Sequence, residues 1–489
     1  MKQIKKRTMS IMLVLAMFIT AVGCDQTQSN SEVNDPNNDN YFTESNNDDF
    51  FTDTTEVIDN TAPGANSGNT GNAANGQTST TGNAQLTVKG KSWKDVLASM
   101  PKELNGTTVT LYNWNPISEY TGATAVIKDF ESQTGIKVKW DTVAYGTYFT
   151  RLAALVASDD SPDVVRTRQP IPEQLKSFQP LSAADYDFTD DAWDQEVMKD
   201  YSVNGVSYAT SLKGTPFGNV NLMYYNKSLI SKYDLENPYT LWKNGKWTVS
   251  KFLEICREYR KATGKADTFG CVGFVDWSDW TMLYGYAGTI GFDGSKYYSN
   301  LSDPKFLTVS QEIADLWNTE KILGAGRAEV FDASETLFYS GNSIFARKKN
   351  SYFGTLKSAG QLYAVPMPSV DGQSEYYQGR YEYEAYAIAS GAKNPKAVPY
   401  FLRYFLDGAN YDLNAFFCNK QNLEAYTWAM GQKNTIWSTL YSGNGEFSNS
   451  ENGATTKNSA QIKSFLDSNA ALVQQKVDEY NNSLKTLSK

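Results

Sequence analysis

Residues 107–168 read "TTVTLYNWNPISEYTGATAVIKDFESQTGIKVKWDTVAYGTYFTRLAALVASDDSPDVVRTR". Val109 and Leu111 alternate with threonines, the period of two that marks a strand. Ala123, Ile127 and Phe130 then recur at helical spacing, and Gly135 supplies a stop. Ile136, Val138 and Trp140 alternate again, and Tyr148, Leu152, Leu155 and Val156 share one face of a second helix. A short third strand lies in "SPDVVRTR". The order is strand, helix, strand, helix, strand with short connections. Right-handed crossovers turn that order into a parallel sheet with helices on its faces.

In such a sheet a ligand sits beyond the carboxyl ends of the strands. Asn113, Trp114 and Asn115 follow the first strand, Tyr145 the second, and Arg166 and Arg168 the third. An indole between two amides suits a sugar: the ring covers the C–H face of a pyranose while amides donate to and accept from its hydroxyls. The competing reading makes Trp114 a core residue at a strand end and puts both arginines in surface ion pairs.

Upstream, Lys2, Lys5, Lys6 and Arg7 precede an apolar run from Ile11 to Ile19, and small residues lead to Cys24. That is the layout of a secretory signal peptide, too short to span a bilayer comfortably. Ala21-Val22-Gly23-Cys24 resembles a bacterial lipobox, so residues 1–23 are expected to be removed and Cys24 to carry the lipid anchor. Residues 24–88 read as a disordered tether. From Asp25 to Val88 there are ten acidic residues and no Lys or Arg, with Gly, Asn, Ser and Thr dominating its second half. A coil of that length reaches roughly 40–50 Å, which suits a domain held clear of the outer face of the cytoplasmic membrane, through the wall of a single-membrane bacterium. No other segment is long and apolar enough for a span.

The net charge of −9 belongs mainly to the tether, which leaves residues 89–489 at −3. A folded part so near neutrality lacks the basic footprint of a nucleic-acid binder. With no histidine in the chain, a His-containing zinc site, a Ser-His-Asp triad and a Cys-His dyad are all excluded. Besides Cys24 there are Cys256, Cys271 and Cys418, too few for a disulfide framework. Cys256 falls on the apolar face of the helical "SKFLEICREYRKATG", where a buried thiol is the favoured reading, with a Cys256–Cys271 bridge as the alternative. Neither a cofactor nor a metal is called for.

Farther along, "SPDVV", "VNGVSYATSL", "NLMYYNKSLISKYDLENPYTLW", "KWTVSKFLEICREYRKATG", "FYSGNSIFARKKNSYFGTL", "YAVPMPSVDG" and "EAYAIASGAKNPKAVPYFLRYFLDG" follow in order. Together they resemble the landmarks of family 1 extracellular solute-binding proteins, the receptors of ABC importers for sugars. That resemblance implies an α/β, type II periplasmic-binding fold: two lobes joined by hinge crossovers, closing on ligand in the cleft between them. Mapped here, lobe one takes residues 89–218 and 366–410, lobe two 219–365, and C-terminal helices in 411–489 brace them. "WKNGKW" and the helix before Pro101 depart from the family pattern. The partners implied are a carbohydrate, in particular an oligosaccharide, and the permease subunits of an importer, with the receptor a monomer.

Lobe two is expected to add aromatic residues to the cleft. Trp277, Trp280 and Tyr284 fall at i, i+3 and i+7, one face of a helix, with packing against the sheet as the competing role. Arg380, Glu382 and Tyr383 lie where the chain re-enters lobe one and would close on hydroxyls or pair with one another. The rival class is an exported carbohydrate-active enzyme, which needs two carboxylates at a defined separation. Glu119, Asp163, Asp276, Asp279, Glu382 and Glu384 are available, yet no pair stands in a recognisable catalytic setting. A peptide receptor or adhesin on the same scaffold is the third reading.

Overall fold

The computed structural model describes residues 90–437 and 456–487, apart from 168–171, 266–267, 274–276, 326–327 and 381–384; within that set the side chains of 172, 173, 277–279, 325, 380, 435 and 437 are also left undescribed. The expected signal peptide, Cys24 and tether lie outside the described residues, as do Arg168, Asp276, Glu382, Tyr383 and Glu384.

The opening stretch forms the strand Thr108–Asn113, the helix Ala123–Thr134, the strand Lys137–Thr142, the helix Tyr148–Ala157 and the strand Val164–Thr167. The first strand lies parallel to both others, with Val109 opposite Val138 and Leu111 opposite Val164. Its central place explains its composition: Val109, Leu111, Tyr112 and Asn113 are all buried, whereas Lys137–Thr142 is an edge carrying exposed lysines. The helix Ala123–Thr134 buries Val126, Ile127 and Phe130 against the helix Val398–Phe405, with Phe130 and Phe401 rings 5.7 Å apart. Gly135 ends it at φ +73°, where a Cβ would come 2.6 Å from Asn105 Oδ1.

Beyond Val164–Thr167 the sheet continues with Ala385–Ala389 and then Phe178–Gln179, and Ala209–Thr210 also pairs with Ala385–Ala389. Ala385–Ala389 is antiparallel to its neighbours. A second sheet repeats the plan in the order Leu323–Ala325, Cys271–Gly273, Phe338–Asn342, Asn221–Asn226, Leu362–Pro366. Its first three strands are parallel, and Asn221–Asn226 runs against them. In each sheet the antiparallel fourth strand is the one by which the chain arrives from the other sheet. The protein is therefore a mixed α/β molecule of two sheet-centred lobes, with the chain passing over after Thr210 and returning after Pro366.

Two C-terminal helices tie the halves together. Lys420–Met430 packs on the second sheet, where Gln421 Nε2 donates to Ala364 O at 3.0 Å, while the Tyr426 hydroxyl donates to Thr215 O at 3.1 Å in the first crossover. Ser459–Leu487 lies along Pro304–Ala314, exchanges two hydrogen bonds with Tyr297 through Asn481, and reaches Pro172–Leu175 beside the first sheet. The "WKNGKW" departure forms a turn at Gly245 that sets Trp242 edge-on to Trp428 and lets Lys243 pair with Glu424 of the first of these helices.

Cys256, Cys271 and Cys418 are free thiols, so no Cys256–Cys271 bridge forms. Cys256 sits on the buried face of the helix Val249–Thr263, and burial lifts its pKa far above the usual thiol range; burial likewise lifts Cys271, to about 12. A thiol so held is protonated and inert. Iodoacetamide at about pH 8 is expected to spare Cys256 and Cys271 in the folded protein and to alkylate both in urea. Peptide mass mapping reads the result, and rapid native labelling of either would contradict this packing.

A candidate ligand site at the strand ends

Asn113 closes the first strand fully buried, with both ends of its amide engaged. Its Oδ1 accepts from Asn115 N at 3.0 Å and from Arg166 Nη1 at 3.5 Å, and its Nδ2 donates to the Tyr120 hydroxyl at 3.0 Å. It organises its neighbours rather than facing solvent. Trp114 follows, 9 % exposed, with the Arg166 guanidinium 4.1 Å above its ring centroid. Tyr145 and Tyr148 meet that indole edge-on at 5.6 and 5.0 Å. Tyr148 holds the floor together, its hydroxyl within 2.7 Å of Tyr112 O and 2.9 Å of Arg166 O. Of the predicted residues in this lobe, Asn113, Trp114, Asn115, Tyr145 and Arg166 thus come together. Asn115 and Tyr145 remain partly open.

Arg166 is almost wholly buried. A buried guanidinium needs compensation, and the indole face, the Asn113 carbonyl and the nearby Glu119 carboxylate supply it. Glu119 lies on the short turn Ile117–Glu119 just after the first strand. Its side chain stays exposed, yet surrounding protein raises its pKa, a rise opposed by Arg166 and by Arg347 of the other lobe. Arg347 follows the strand Phe338–Asn342 and donates to Pro216 O, Phe217 O and Asn219 Oδ1 at 3.4, 3.2 and 3.4 Å, all in the first crossover. Sequence reading missed Tyr148, Tyr120 and Arg347 because nothing in their spacing links them to Trp114.

In lobe two the helix Trp277–Met282 ends before Tyr284, so the three aromatics do not share one helical face. Trp280 is buried, its ring 5.5 Å from that of Phe252 and tilted by 32°, and belongs to the core. Tyr284 is half-buried, with its hydroxyl 3.5 Å from Glu312; burial and that carboxylate push its pKa up to about 12. The Trp277 side chain lies outside the described residues, as does that of Arg380, whose backbone pairs with Trp437. The returning crossover is fastened at Gln378, fully buried, whose Nε2 donates to Asn221 O at 3.0 Å and to Gly379 O at 2.8 Å.

Of the six carboxylates available to a hydrolase, only Glu119 and Asp163 have described side chains. Asp163 is structural: buried, it accepts from Thr110 N at 2.9 Å and Asn394 N at 2.7 Å, stapling the first strand to the turn after Ala385–Ala389. Burial raises its pKa against the pull of those amides. Among the described residues no cluster of acidic and sulfur ligands is arranged to hold a metal.

Against known proteins, the family model for bacterial extracellular solute-binding proteins matches residues 113–410, more than half of the chain, and the chain belongs to that family. A search of the curated proteins finds no match. Among solved structures, the sugar-binding protein MalE of the phytopathogen Xanthomonas citri superposes with a TM-score of 0.55 at 13% identity, over 78% of this chain and 98% of its own. The cyclic α-maltosyl-1,6-maltose binding protein of Arthrobacter globiformis gives 0.54 at 15% identity, over 78% and 99%. The GacH receptor of Streptomyces glaucescens gives 0.51 at 16%, over 78% and 98%. At such identities the likeness is one of fold. Family and neighbours are solute-binding proteins, which puts this protein among receptors and not enzymes.

Replacing Asp163 by Ala removes two charge-assisted bonds across the first sheet and should lower the unfolding free energy by about 2–3 kcal/mol. Urea titration measures this. A loss well below that range would mean the staple is dispensable.

Proposed function

We propose that this protein is an exported receptor that captures a carbohydrate, an oligosaccharide in particular, between its lobes and presents it to an ABC permease. The observation that carries the reading is the platform of Trp114, Arg166 and Tyr145 at the carboxyl ends of the first sheet, on the scaffold of a solute-binding family. A pyranose would stack on Tyr145 and the open edge of Trp114, with Asn115 addressing its hydroxyls and Arg166 stiffening the indole from beneath. Similar folds are described in complex with acarbose and as binding a cyclic maltosyl sugar, which supports the same class here.

The fold is of the type II kind in this reading, with lobe one in 89–218 and 366–410, lobe two in 219–365 and bracing helices beyond. An open form samples closure about the crossovers, and a ligand touching both lobes favours the closed form by its differential affinity. Arg380, Glu382 and Tyr383 on the returning crossover, Arg168 on lobe one and Trp277 and Tyr284 on lobe two would complete the grip. The lipid on Cys24 would hold the receptor at the membrane through the acidic tether.

Thermal melting of the protein against mono- and oligosaccharides, with peptides as controls, tests the class. A ligand at a hundred times its dissociation constant adds about 2.7 kcal/mol of stability. A rise confined to one glycan series, with compaction in solution scattering, is the expected result; a rise with peptides alone overturns the carbohydrate assignment. Separately, cells fed labelled palmitate should label the wild type and not Cys24→Ser. Equal labelling of that variant, or none of the wild type, would remove the lipid on Cys24 from the account.

A further inference from the structure

The polar groups around the Trp114 platform differ in what they have left to offer. Asn113 is fully engaged by Asn115, Arg166 and Tyr120. Arg166 is buried beneath its own stack on the indole. Arg347 places one guanidinium nitrogen among three acceptors of the crossover. Glu119 stands apart. Its side chain is exposed and, among the described residues, feels Arg166 and Arg347 through their charge but holds no hydrogen bond, while its backbone is fixed through Pro116 O at 3.1 Å.

Its location is equally specific. The next residue, Tyr120, is buried with its hydroxyl on Asn113 and its ring 4.8 Å from Phe217, whose carbonyl accepts from Arg347. The turn bearing Glu119 is thus anchored between the contacts of an arginine from each lobe. A carboxylate there offers two oxygens to adjacent hydroxyls in charge-assisted hydrogen bonds. It also repels a ligand's own carboxylate, a repulsive element of the kind that sets specificity.

We propose that Glu119 is a ligand-binding residue that selects neutral, hydroxyl-rich solutes over acidic ones by accepting a pair of their hydroxyl protons. This rests on the carbohydrate-receptor reading, and its test separates the two. Calorimetric titration would compare the wild type with Glu119→Gln and Glu119→Ala on maltotetraose, cellotetraose, xylotetraose, trigalacturonate and tetraalanine. Thermal melting of each variant is compared with the wild type, because the carboxylate also faces the charge of buried Arg166; Glu119→Gln keeps the side chain's shape and loses only that charge.

The best neutral saccharide is expected to weaken at least about tenfold in Glu119→Ala and less in Glu119→Gln, and trigalacturonate to gain relative to it in both. Unchanged saccharide affinity in both variants overturns the role of Glu119 and leaves the receptor reading intact. A wild type that prefers trigalacturonate overturns the selectivity. Binding of tetraalanine alone refutes the carbohydrate reading, and the variants titrated with it still decide whether Glu119 touches the ligand.

Discussion

Ala385–Ala389 occupies the fourth place in the first sheet and is held on both sides: Ile388 lies opposite Val164, and the same strand pairs with Phe178–Gln179 and Ala209–Thr210. That strand reaches its place only after the chain has built the second sheet and returned. Val164–Thr167 therefore has one neighbour from its own region and one from far along the chain. Asp163 makes the same join with its carboxylate, across 231 residues of sequence to Asn394. Such non-local closure is slow to form, because its entropy must be met before any contact is made. It also makes the two lobes interdependent.

The site inherits this constraint. Arg166 lies opposite Tyr386 in the register of the returning strand, so the guanidinium above Trp114 is oriented by a segment from beyond the other lobe. Its depth is tolerable because an aromatic face, an amide carbonyl and a nearby carboxylate surround it. The Asn113 hub and the Tyr148 hydroxyl fix this floor through hydrogen bonds made within the lobe, so the side chains around Trp114 are held in place by the fold itself.

Legibility followed how local each signal was. The alternation in Thr108–Asn113 and Lys137–Thr142 and the helical spacing of Ala123–Thr134 were plain, because a strand or helix face is set by neighbours a few residues apart. The aromatic set in lobe two was harder. Periodicity says which residues share a face but not which way it points, and Trp280 points to Phe252 in the core. Tyr284 fell outside the pattern because its helix stops at Met282. Arg347 carried no signal: its acceptors at Pro216, Phe217 and Asn219 are backbone or small polar groups of a distant segment.

The sequence by itself determined the class of fold, the absence of histidine chemistry, and the order of family landmarks, all of which depend on residue types and short spacings. Only the tertiary structure decided which polar residues remain available. Asn113 and Asp163 look from sequence like any exposed amide and acid, yet folding engages both, while Glu119 keeps its carboxylate open. The reason is physical: burying a polar group requires a partner, and those partners arrive from segments that only the closure of the sheets brings near.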